Sequence, residues 1–171
     1  MNDTESLLSG VRIVELGHVL AGPFTTSLCA DFGAEVIKVE DPAHGDMMRA
    51  MGPGKDGVKL WWKVAGRNKK CVTLNLKDPR GLELCKQLIA QADAVVENFR
   101  PGVLRKLGLG HKDMRAVNPR LIIVSISGYG LTGPEAQKPG YGRIAEAYSG
   151  VMHLTGEPDG PRSRLVSARP T

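Results

Sequence analysis

Apolar positions first cluster in Val11-Arg12-Ile13-Val14-Glu15-Leu16, a β-branched run that reads as a strand. Residues 17–22 read as a loop. Pro23 suits the first turn of a helix running through Phe24 and Leu28 to Phe32 and stopping at Gly33. A second strand follows at Glu35-Val36-Ile37-Lys38-Val39-Glu40, giving a βαβ unit with a right-handed crossover. From Asp41 to Gly57 no apolar period survives, which predicts a long loop of the kind that is functional or mobile. Cys71 to Leu76 predicts a third strand. Asp78-Pro79 then opens a helix with Leu82, Cys85, Leu88, Ile89 and Ala92 on one face. Ala94 to Glu97 reads as a short buried strand, followed by helical stretches near Val103–Leu107 and Lys112–Val117. Leu121 to Ile126 is near-continuously apolar, as expected of a strand covered on both faces. A Gly/Pro loop from Gly128 to Gly140 leads into a helix from Tyr141 to Met152. This alternation predicts an α/β fold with a mostly parallel sheet. Residues 1–156 form one expected domain, and 157–171, without a periodic core, an irregular tail.

Composition narrows the class. The 171 residues can enclose a hydrophobic core without disulfide or metal staples. With 21 glycines and 11 prolines, the chain is rich in loops of demanding geometry. A net charge of +5 permits an anionic ligand without identifying one. Cys29, Cys71 and Cys85 lie far apart with no CxxC spacing, which argues against a zinc framework or redox pair and for a reducing compartment. The acidic, polar start and the lack of any window of about 20 apolar residues predict a cytoplasmic protein without a membrane span.

Open parallel sheets bind ligands beyond the carboxyl ends of their strands. Here those ends are the loop Gly17-His18-Val19-Leu20-Ala21-Gly22-Pro23, Asp41 onward, Leu76-Lys77, Asn98-Phe99-Arg100, and Ser127 to Gly130. The first loop leads into a helix N-terminus suited to an anion, but lacks GxGxxG. Gly52 to Gly57 lacks the spacing of a phosphate loop. Arg49, Lys63, Arg67, Lys69, Lys70, Lys77, Arg100, Arg105, Lys106 and Lys138 flank these loops and could contact phosphates, or simply form a solvated face. His18, on the first loop, is either a ligand contact or a structural hydrogen bonder. Trp61-Trp62 could stack a purine or pack internally. The four histidines lack metal-ligand spacing, no G-x-S-x-G turn is present, and aromatics at 5% give no platform for nucleic acid.

Taken together, Leu8-Ser9-Gly10-Val11-Arg12-Ile13-Val14-Glu15-Leu16, Ala21-Gly22-Pro23 and Ala30-Asp31-Phe32-Gly33-Ala34-Glu35-Val36-Ile37-Lys38-Val39-Glu40 resemble the opening of the class III CoA-transferases. Gly45-Asp46 with Arg49, Arg67-Asn68-Lys69-Lys70, Leu74 to Lys77, Glu97 to Gly102, Leu107-Gly108-Leu109, Asn118-Pro119 and Ser127-Gly128-Tyr129-Gly130 continue the resemblance in the family's order. The resemblance implies a Rossmann-like, mostly parallel sheet with helices on both faces, forming an incomplete large domain. It further implies transfer of CoA between carboxylic acids through an aspartyl-CoA intermediate, because a carboxylate is a nucleophile and, once acylated, carries a good leaving group. Coenzyme A and acyl-CoA would be substrates, with no permanently bound cofactor. Family contacts to coenzyme A carry over to Leu20, Ala21, Leu74, Asn75, Lys77, Asn98, Phe99, Arg100 and Lys106, and to the stretch from Lys138 through Tyr141 to Gly142.

Two positions depart from the family. Asp41 stands where some members have an Arg, so that contact is not carried over. The catalytic Asp is expected at or just beyond Thr171, where this chain has a threonine that cannot form the anhydride. Asp159 belongs to a turn and is a poor substitute. Members of the family are more than twice as long and form interlocked homodimers. The sequence therefore reads as a truncated CoA-binding N-terminal part, inactive alone and with doubtful dimerisation. Its alternatives are a non-catalytic CoA-binding or partner-binding module and, less well supported, an acyl-CoA racemase relative.

Overall fold

The structure, a computed structural model, describes residues 6–156 and 159–160. The tail with Arg162, Arg164, Arg169, Pro170 and Thr171 lies outside the described residues. The chain divides into two compact units, 1–126 and 127–171, ahead of the boundary at 156 read from the sequence.

In the first unit, strands β1 (Arg12–Glu15), β2 (Glu35–Glu40), β5 (Lys69–Thr73), β6 (Ala94–Glu97) and β7 (Ile122–Ser125) form one parallel sheet in the order β5-β2-β1-β6-β7. The chain moves outward from β1 through β2 to β5, then restarts on the other side at β6. The switch point therefore falls between β1 and β6, where such sheets open a crevice. Alternation along the strands feeds two cores. Ile13, Val36 and Val96 pack with Ala30 beneath α1 (Ala21–Asp31). Val14, Val39 and Val95 pack with Cys85, Ile89, Leu104 and Met114. These come from α3 (Pro79–Ala90), α4 (Val103–Lys106) and α5 (His111–Val117) on the opposite face. Burial pushes the Cys85 thiol up to about 12. Asp78 caps α3 by accepting the Arg80 amide at 2.8 Å, with Pro79 in the first turn, as the sequence predicts.

Four segments differ from the sequence reading. The third strand lies at Lys69–Thr73 rather than Cys71–Leu76, because the Leu74 amide makes the last link to Glu40 O (2.9 Å) before the chain turns at Asn75. The 41–57 loop is partly ordered. It holds a 3₁₀ turn at Met47–Arg49, and the hairpin β3 (Gly54–Lys55) and β4 (Val58–Lys59) begins within it; α2 (Leu60–Ala65) follows directly. Asp56 and Gly57 supply the two left-handed residues (φ +50° and +77°) that a tight two-residue hairpin turn requires. Strand β7 is not covered on both faces: Ile122 is 61% and Val124 37% exposed. It lies at the sheet edge, and α1 packs over β1, β2 and β6 on that face. In the second unit, the helix expected over 141–152 is two helices, α6 (Gly142–Tyr148) and α7 (Val151–Leu154), broken at Gly150 with φ +78°.

The turn from Leu74 to Asp78 is seated directly on α3. A Cβ on Gly81 would lie 2.2 Å from Asn75 O, and a backbone atom cannot move aside as a side-chain tip can. Gly81→Ala should therefore lower unfolding free energy by about 1–3 kcal/mol in urea titrations, the usual cost of overpacking.

Candidate functional site

A cavity of about 430 Å³ opens at the carboxyl edge of β5, β2, β1 and β6. Leu74, Leu76, Phe99, Val103 and Leu107 form apolar walls, Lys77 and Lys106 also line it, and Asn75 and Asp41 contribute polar groups. His18, Lys38, Glu40 and Asp46 also line the cavity, the last three as the upper edge of a buried network.

Beneath this cavity lies a buried ionic network. Lys38 Nζ, with a fully buried side chain, meets Glu15 Oε1 at 2.6 Å, Asp46 Oδ2 at 2.7 Å and Gly17 O at 2.8 Å. Glu15 Oε2 accepts from Lys69 Nζ at 2.8 Å and from the Thr26 hydroxyl at 2.6 Å. Lys69 also donates to Pro23 O at 2.6 Å, so β1, β2, β5 and the start of α1 converge on one carboxylate. Burial alone would lower the Lys38 pKa, but Glu15 and Asp46 outweigh it and the net direction is up. For Lys69, burial outweighs Glu15 and the direction is down. A second buried carboxylate, Glu40, takes a two-pronged bond from Arg49 (2.7 and 2.8 Å) and the Asp46 amide at 2.8 Å. Burial opposes its charge, yet these donors hold its pKa below the usual value.

The loop after β1 is clasped across the switch point. The His18 amide donates to Asn98 Oδ1 at 2.8 Å, and Asn98 Nδ2 returns a bond to His18 O at 2.9 Å. A Cβ on Gly17 would lie 2.8 Å from Asn98 Oδ1, so this approach requires glycine. The His18 ring stands edge-on to Phe99 with centroids 4.5 Å apart.

Of the residues carried over from the resemblance, the structure brings Leu74, Asn75, Lys77, Phe99 and Lys106 onto this cavity. Asn98 instead faces the His18 backbone. Leu20 is the exposed residue preceding α1, Ala21 its first residue, and Arg100 is exposed beyond β6. Lys138, ion-paired with Glu135, and the exposed Tyr141 belong to the second unit. Several cations considered for phosphate contact have other partners: Arg49 with Glu40, Arg67 with Asp31, Lys69 with Glu15 and Lys70 with Glu35. Trp62 packs under the Arg49 guanidinium, 3.8 Å from its ring centroid, and Trp61 fills the space beside Gly52. Sequence reasoning missed the Glu15–Lys38–Asp46–Lys69 network. The available signal was a Glu and a Lys inside strand runs that should be wholly apolar.

The model of CoA-transferase family III matches residues 8–168. The chain belongs to this family. Succinyl-CoA–D-citramalate CoA-transferase of Chloroflexus aurantiacus is 51% identical over 159 residues, which are 92% of this chain and 40% of the relative. Human succinyl-CoA:glutarate CoA-transferase is 47% identical over 90% of this chain and 35% of its own length. A CaiB/BaiF family protein from Brucella suis superimposes with a TM-score of 0.88 at 40% identity, over 94% of this chain and 44% of that one. This CoA-transferase family III chain thus spans 35–40% of the length of these curated relatives. No helix among its described residues is long and apolar enough to cross a membrane.

Two substitutions test the network. Lys38→Met leaves Glu15 and Asp46 buried without their shared cation, and should cost about 3–5 kcal/mol in denaturant unfolding. For Glu40, the folded pKa lies below its reference value of 4.5. Its stabilisation is complete above about pH 4.5 and lost as pH falls through the lower folded value. Urea midpoints measured from pH 6 to pH 3 should therefore fall less steeply for Glu40→Gln than for the parent.

Proposed function

We propose that this chain is the coenzyme A-binding N-terminal part of an enzyme that transfers CoA from an acyl-CoA to a carboxylic acid. The observation that carries the proposal is the cavity at the strand ends, with its apolar walls and the lysines Lys77 and Lys106. Apolar surface suits the adenine and pantetheine portions of such a ligand, and the ammonium groups suit its phosphates. Leu20, Ala21, Asn98 and Arg100 are proposed as further contacts within the first unit, and Lys138 and Tyr141, of the second unit, are proposed on the resemblance alone. Two of the relatives named above carry succinyl-CoA in their names, so succinyl-CoA is the first donor to test.

The chemistry proposed is covalent. An Asp carboxylate attacks the donor thioester carbonyl, CoA thiolate leaves, and a mixed anhydride forms. The thiolate then attacks the aspartyl carbonyl and releases the donor acid, leaving an aspartyl-CoA thioester for the acceptor. The resemblance puts that Asp at or just beyond Thr171, and no residue of the described chain is assigned the role. Cytoplasmic location, and a homodimer of the whole enzyme rather than of this chain alone, belong to the same proposal.

Calorimetric titration with coenzyme A checks the binding half. Saturable binding is expected, weakened about tenfold or more in Lys77→Ala/Lys106→Ala and falling with added salt, as lost phosphate contacts demand. Absence of saturable binding by the folded chain overturns the proposal.

A further inference from the structure

Val19 has φ +65°, a left-handed conformation that a β-branched residue adopts only under constraint. Such strain persists where surrounding structure over-determines it, and it gathers at ligand sites. The constraints here are visible. The Val19 amide donates to Asp46 Oδ1 at 3.2 Å, and His18 immediately before it is clasped at both its amide and its carbonyl by Asn98. Asp46 is itself fixed from three directions. Its Oδ1 accepts the Met48 amide at 2.9 Å, its Oδ2 meets buried Lys38 at 2.7 Å, and its amide donates to Glu40 at 2.8 Å.

The strained loop puts the His18 side chain on the cavity, edge-on to Phe99. Desolvation of the ring lowers its pKa from the usual value despite nearby Asp46, which favours the uncharged form. An uncharged imidazole offers one donor and one acceptor. We propose that His18 is a ligand-contacting residue of this cavity and that Asp46, braced by Lys38, is its positioning residue, holding Val19 left-handed so that the imidazole can hydrogen-bond a polar group of an acyl-CoA. The ligand class rests on the function proposed above; the positioning of the loop does not.

Two readouts separate these. Without ligand, exchange protection of the Val19 amide, followed by NMR on the 171-residue chain, reports the loop. Protection should be lost in Asp46→Ala and kept in Asp46→Asn, which retains the accepting oxygen. Unchanged protection in Asp46→Ala overturns the positioning role. With coenzyme A, His18→Ala and Asp46→Ala should each weaken binding about tenfold, the scale of one hydrogen bond. Val19→Gly, which accepts the left-handed φ freely, should restore most of the binding lost in Asp46→Ala. A purely structural buried carboxylate would not be rescued in this way, and failure of the rescue overturns the positioning role. Should Asp46→Ala not fold, loss of Val19 protection or of coenzyme A binding in the folded Asp46→Asn would equally overturn it. Parent-level binding by His18→Ala overturns the contact. A parent chain that keeps Val19 protection but binds no coenzyme A overturns both the contact and the proposed function, and leaves the positioning role to be decided by the amide alone.

Discussion

The first unit depends on the buried ammonium group of Lys38. Lys38 sits on the central part of β2 with no access to water, and it is tolerable there only because Glu15 and Asp46 both meet it. Removing charges from water costs several kcal/mol each, so such a group is weak evidence for stability and better evidence for specificity of arrangement. Its partners come from β1, from the turn after β2 and from the Gly17 carbonyl. A sheet built in another register would strand at least one of these charges.

The same network couples fold to site. Glu15 shares its two oxygens between Lys38 and Lys69, so three strands register against one carboxylate. Asp46 carries the order outward to the 3₁₀ turn and to the loop before α1. Glu40 and Arg49 then tie that turn down, and Arg49 lies over Trp62. The part of the cavity lining formed by Lys38, Glu40 and Asp46 is thus an extension of the sheet.

Much of this was legible in the sequence. The βαβ opening, the capped α3 and the strand at Ala94 announce themselves through period, proline placement and Asp78, because local chemistry sets them. Lys77 and Phe99 were legible as strand-end residues, since parallel sheets gather those ends, and Lys106 as one of several flanking cations, whereas Leu74 and Asn75 were named through the resemblance alone. The ionic network was not. Which strands become neighbours is a long-range property, and until β1, β2 and β5 are aligned, Glu15 and Lys69 are merely two charges 54 residues apart. The exposure of β7 was illegible for a related reason: a continuous apolar run does not say how far the covering helix reaches. The Asp56-Gly57 hairpin, by contrast, carries a readable local signal within a stretch that has no apolar period.

The three thiols occupy graded environments: Cys71 is exposed, Cys29 partly covered and Cys85, on α3, wholly enclosed against the sheet. Because thiolate, not thiol, reacts with alkylating reagents, Cys85 is doubly protected, by enclosure and by a pKa raised to about 12. Its modification must wait for the helical layer to separate from the sheet. The chain therefore contains an intrinsic clock for opening of its larger core, set by chemistry rather than by any added label.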